Sequence, residues 1–96
     1  MIDRLRNLRE NSIVEVVWLD SCSRDRWIDR NEAKKWALEV GSARHYSCGY
    51  LLSVTDLAVV LTQSRVRYDE EVASVDALMS IPCVAILDVT VLSDGE

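Results

Sequence analysis

The sequence predicts a mainly β domain of the α+β class. The expected architecture is a small five-stranded barrel of the Sm-like or SH3-like kind, with a short N-terminal helix and one helix inserted after the first strand. Three observations predict it. Apolar and polar residues alternate in several short segments, which is the periodicity of strands. One stretch between the first two such segments carries a full set of helix start and stop signals. The run "SIPCVAILDVTVL", residues 80–92, holds the single proline of the chain inside an otherwise apolar segment. Curling five strands into a barrel would remove exposed edges; an open five-stranded sheet packed on the inserted helix is the competing arrangement.

The elements follow in order. In residues 2–9, Ile2, Leu5 and Leu8 recur on one stripe, a helix too short to persist unless it docks. "SIVEVVWLDS" is rich in β-branched and aromatic residues, with Val14, Val16, Trp18 and Asp20 on one face and Ile13, Glu15, Val17 and Leu19 on the other. The first face should point inward.

Asp29 and Glu32 then form a capping box, with Ile28 and Ala33 as its hydrophobic staple. Ala33, Trp36, Ala37 and Val40 make an apolar stripe, and Gly41 supplies the C′ residue that stops the helix. Trp18 and Trp36 are expected in the core.

"RHYSCGYLLSVTDLAVVLTQS" reads as two strands around a turn at Thr55-Asp56, with Gly49 marking a bend. Residues 65–76, "RVRYDEEVASVD", are polar and form either a long hairpin loop or two extended arms. "ALMSIP" is a fourth strand, ended by Pro82 because proline has no N–H for the ladder. After a short turn over residues 84–86, Leu87, Val89 and Val91 should face inward on the fifth strand, with Asp88 and Thr90 outward.

Ninety-six residues fit one domain, residues 1–96, and 49% apolar content lets it fold without metal or disulfide staples. Cys22, Cys48 and Cys83 are odd in number and widely spaced, so reduced core thiols are expected. The charged N-terminus is unlike a signal peptide, and no apolar run reaches membrane-spanning length. A whole cytoplasmic protein is the expectation, without membrane association. Residues 1–48 carry nine basic and eight acidic side chains, net +1, and residues 49–96 carry two and eight, net −6. An acidic half opposes broad binding to a phosphate backbone, so nucleic acid is not an expected partner.

Catalytic constellations are missing from the sequence. His45 is the only histidine, and no motif pairs it with Cys22 or Cys48. Asp20, Asp25 and Asp29 lack the glycine and terminal glutamate of a calcium loop, and no glycine-rich phosphate loop exists. Neither an enzyme nor a cofactor is expected. The binding candidates are Arg24, Arg26 and Trp27 in "SRDRW", and Arg65, Arg67 and Tyr68 in "SRVRY". Arginine beside an aromatic ring suits an anionic ligand that stacks, or a protein partner. Asp20 adds a polar group where the first strand ends. The acidic run Asp69–Glu71 is a solvated loop that could cover a basic site on a partner.

The segments "VEVVWLDS", "GYLLSVTDLAVVL" and "IPCVAILDV" give the chain a resemblance to short proteins encoded by phages and prophages, over residues 13–92. That resemblance implies a host-directed role: binding and blocking a host defence protein, or sequestering a defence signal. The leading expectation is therefore a non-catalytic inhibitor that binds a host protein in the host cytoplasm. The alternatives are an oligomeric sponge for an anionic nucleotide and an Sm-like RNA-binding ring.

Overall fold

In a computed structural model, the structure describes residues 2–21, 23, 25–41 and 43–95. Helix α1 spans Ile2–Arg6, strand β1 Ile13–Trp18, helix α2 Arg30–Gly41, β2 His45–Val54, β3 Ala58–Tyr68, β4 Glu71–Pro82 and β5 Ile86–Ser93; a 3-10 turn, Cys83–Ala85, joins the last two strands. All pairings are antiparallel, in the order β4-β3-β2-β1-β5.

The expected barrel does not close by hydrogen bonding: β4 and β5 stay as edges of one open sheet. The sheet is nevertheless strongly curled. The Leu19 amide donates to the Ala85 carbonyl, and the Cys83 amide donates to the Leu57 carbonyl, each at 2.9 Å. Leu19 follows Trp18, which pairs with the first residue of β2, whereas Leu57 lies just past the last. A straight ten-residue strand would hold those two places about 33 Å apart. Cys83 and Ala85 are only two residues apart and span about 7 Å. So β2 has to bend.

The sequence shows how it bends. β2 pairs with β1 through Tyr50 and with β3 from Tyr50 onward, and its register slips between Leu51 and Ser53. At the changeover stands Gly49, buried, where a Cβ would meet the Thr62 carbonyl oxygen at 2.9 Å and Leu61 Cβ at 3.3 Å. Only a residue without a side chain lets β3 lie so close.

The core lies inside the curl. Leu5 from α1, Val14 and Val16 from β1, Leu51, Val59 and Leu61 from β2 and β3, and Ile81, Ile86 and Val89 from β4 and β5 are buried. Each such side chain contributes roughly 1.5–3 kcal/mol of transfer free energy. Burying Leu5 holds the short α1, together with ion pairs from Arg4 to Asp88 and from Arg6 to Asp56. Thr62 is buried, with its hydroxyl within reach of the Ser64 and Asp76 carbonyls; it donates to one at a time.

Several expectations are corrected. Val14 and Val16 point inward as read from the alternation, and Trp18, half-buried, packs against the core, but Asp20 is exposed. On β5, Val89 is buried while Leu87 and Val91 are exposed. For Leu87 the reason is bulging: Val17 faces Asp88 while Trp18 faces Ile86, so Leu87 is an extra residue that breaks the alternation. Val91 keeps the register of Val89, opposite the buried Val14, and is exposed near the strand's end. Residues 65–76 resolve as two extended arms around Asp69 and Glu70, both with positive φ, the conformation of a tight hairpin turn. The strand read as "ALMSIP" thus begins at Glu71. Helix α2 begins directly after Asp29, and it runs through Gly41, which was expected just beyond its end; none of its side chains that the structure describes is buried, Ala33, Trp36 and Val40 being half-exposed and Ala37 and Leu38 exposed. Trp36 is therefore not a core residue, and the open sheet does not pack on α2. No helix among the described residues is long and apolar enough to cross a membrane.

Candidate functional site

The curl gathers apolar side chains where three chain segments meet. The turn between β2 and β3 is held by Thr55, whose hydroxyl oxygen accepts from the Leu57 and Ala58 amides, each at 3.2 Å. That geometry commits Thr55 to the backbone and leaves Leu57 in the turn, 83% exposed. The Cys83 amide bonds the Leu57 carbonyl, and the Cys83 thiol donates to the Thr55 carbonyl at 3.5 Å. Cys83 is buried, so Val84, the next residue of the 3-10 turn, projects outward at 99% exposure. From the other side, Leu19 is tied to Ala85 and is also exposed. The backbones of Leu19, Leu57 and Val84 are thus tied together by hydrogen bonds into one corner that carries these three aliphatic residues. The segment leaving Leu19 carries Trp27, wholly exposed.

The two arginine-aromatic clusters fare differently. Arg24 and Cys22 lie outside the described residues. Arg26 is exposed, with φ 85°, and precedes Trp27 without bonding to it. Asp20 is exposed beyond the end of β1, between Leu19 and that cluster. Arg65 does not stack on Tyr68. Its guanidinium lies 4.1 Å over the ring of Tyr50, on the neighbouring strand. Arg67 donates to the Glu70 carbonyl at 2.7 Å inside its own hairpin, and Tyr68 is exposed near that tip. No hydrogen bond, ion pair or ring contact among the described residues joins the Arg26-Trp27 segment to the Arg65-Tyr68 arm.

Nucleophile and metal constellations are not assembled among the described residues. His45 and Cys48 are three apart on one strand and point to opposite faces. The His45 ring lies 5.1 Å from that of Trp18, whose indole N–H donates to the Ser47 hydroxyl at 2.9 Å. Cys48 is exposed rather than a core thiol; Cys83 is buried. Among the described residues, no three His, Cys, Asp or Glu side chains converge.

Sequence reasoning missed the corner. Leu57 and Val84 were within reach, because a large aliphatic residue inside a turn has no strand face to hide on. Their meeting with Leu19 was not, since it depends on the bend of β2. No protein-family model, curated protein or solved structure matches the chain.

Proposed function

We propose that this chain is a non-catalytic binding protein that grips a protein partner through the Leu19-Leu57-Val84 corner, with Trp27 as an additional anchor. The single observation that carries the reading is the corner itself. Leu57 and Val84, almost wholly exposed, and Leu19, 37% exposed, stand on three backbone segments tied together by hydrogen bonds, which favours an interface hot spot over scattered surface residues. The strand order, with a three-residue turn linking the two sheet edges, supports a small barrel of the Sm-like or SH3-like kind that stops short of closure. Such a scaffold carries a site on its connecting turns while the sheet stays rigid.

The resemblance to short phage proteins favours a host defence protein in the host cytoplasm as partner, with inhibition by occlusion as the mode. The anionic-nucleotide reading loses ground because Arg65 is engaged by Tyr50 and Arg67 by Glu70. The RNA reading is opposed by the net charge of −5. The test is capture from a bacterial lysate by the wild-type chain and by Leu57→Asp/Val84→Asp, alongside a thermal-shift screen of nucleotides. One stoichiometric partner, lost with the double variant, supports the proposal. A nucleotide that raises stability by several kcal/mol at large excess, with equal protein capture by both forms, overturns it.

A further inference from the structure

The open sheet has two edges, β4 and β5, and they are built differently. On β5 the Val89 amide donates to the Asp88 carboxylate, and the Val89 carbonyl accepts from the Arg4 guanidinium, so an incoming strand finds both groups taken. β4 pairs with β3 alone. Which of its backbone groups stay free follows from the turn before β3. The Ala58 carbonyl accepts from the Thr55 amide at 3.0 Å, so Ala58 faces β2. Successive residues of a strand bond to opposite sides. Val59 and Leu61 therefore face β4, where Ile81 and Met79 are their partners. Leu78 and Ser80, on either side of Met79, turn their amides and carbonyls away from the sheet.

This free edge is short and bounded. At one end Ala77 takes φ 54°, its amide donates to the Asp76 carboxylate, and the Asp76 carbonyl lies within reach of the Thr62 hydroxyl. At the other end Pro82 has no amide hydrogen to offer. Between these limits Leu78 is 59% exposed and Met79 38%. The surroundings are uncharged: residues 57–64 and 77–87 contain no Asp, Glu, Lys or Arg, although their half of the chain has net charge −6.

We propose that two copies of this chain pair through their β4 edges, antiparallel about a twofold axis at Met79. Leu78 of each copy then faces Ser80 of the other, and each of the two facing pairs exchanges two hydrogen bonds. No other axis uses these groups so fully. An axis at Ser80 would set Leu78 against Pro82 and leave the Leu78 carbonyl without a donor. The two Met79 side chains meet on the face that holds Leu61, and each Leu78 lies beside the other copy's Ser80 on the opposite face. The uncharged stretch lets two acidic chains approach without like charges in contact. The guarded β5 cannot take the β4 of a third copy, so the association closes at two. A contact of so few residues is smaller than a stable dimer's interface, so the dimer is weak and concentration-dependent. It goes beyond the reading of the Leu19-Leu57-Val84 corner and needs no partner protein, so either can fail without the other.

The first test is light scattering of the full chain from about 1 μM to about 1 mM. The mass should rise toward that of two chains. Ser80→Pro removes an amide that the β3 ladder does not use, and should weaken the dimer at least about tenfold while the unfolding midpoint of the dilute chain stays near the wild type. The second test reads the register and does not depend on that variant folding. In a Cys22→Ser/Cys48→Ser background, Met79→Cys should form a disulfide-linked dimer under mild oxidation, because the two copies of residue 79 lie directly opposite each other. Leu78→Cys and Ser80→Cys should not, since the equivalent residues of the two copies are then about 8 Å apart, beyond a disulfide's span of about 7 Å. A mass of one chain across the whole range overturns the proposal. So does a dimer that Ser80→Pro, folded, leaves unmoved, or cross-linking that is equal at all three positions or missing at residue 79.

Discussion

At Gly49 a single hydrogen atom decides whether β2 can bend. Gly49→Ala would push a methyl group into the backbone of Thr62, which cannot move without parting β2 from β3. The expected cost is about 1–3 kcal/mol, read as a lower urea midpoint at unchanged slope; an unchanged midpoint would show that the strands are not so close. Ala77 makes the opposite case. It holds φ 54° in β4, a region that penalises a side chain. Ala77→Gly should therefore be neutral or stabilising by up to about 1 kcal/mol, although glycine inside a strand ordinarily weakens it. In the sequence, the glycine advertised its bend. Ala77 gave no sign, because the Asp76 carboxylate that accepts its amide at 2.7 Å is an ordinary polar residue in an ordinary strand pattern.

Among the elements, the strands were more legible than their ends. β1 shows in its alternation because one face is buried, and burial is what patterning records; the first part of β3 shows instead as a short run apolar on both faces. On β5 the inward reading is met by Val89 and fails at Leu87, because a bulge there inserts a residue that no periodicity predicts; a second bulge follows at Leu92. The edge of β5 is also guarded. The Val89 amide donates to the Asp88 carboxylate at 2.9 Å, and the Arg4 guanidinium donates both to that carboxylate and to the Val89 carbonyl. Both backbone groups of Val89 are thus occupied by side chains, which blunts the edge against stray pairing. Arg4→Ala should lower stability by no more than about 1 kcal/mol, since the ion pair is largely exposed. It should also visibly increase precipitation on heating; unchanged solubility would remove the guarding role. The β3-β4 turn invites improvement: Asp69 and Glu70 both hold positive φ, so Asp69→Asn/Glu70→Gly should add about 1 kcal/mol to the unfolding free energy in a denaturant titration. Helix α2 shows where local signals stop. Its caps fix where it begins, but a cap says nothing about what the apolar stripe will touch.

For the molecule as a whole, the number of strands and their succession along the chain were visible in the sequence, and their closure was not. Whether five strands join into a barrel depends on backbone pairing between residues far apart in the chain, at edges whose composition resembles that of any other strand. The corner of Leu19, Leu57 and Val84 depends on the same curl, and so stayed hidden while Arg26, Trp27, Arg65 and Tyr68 drew attention through their residue types alone. The most direct measurement is quantitative partner capture by the wild-type chain and by Leu57→Asp/Val84→Asp, two forms that should unfold at nearly the same denaturant concentration. We predict one partner protein bound at a fixed stoichiometry by the wild type and weakened at least about tenfold by the double variant. Equal capture by both forms, or no stoichiometric partner for either, would contradict the assignment of this corner as the binding surface.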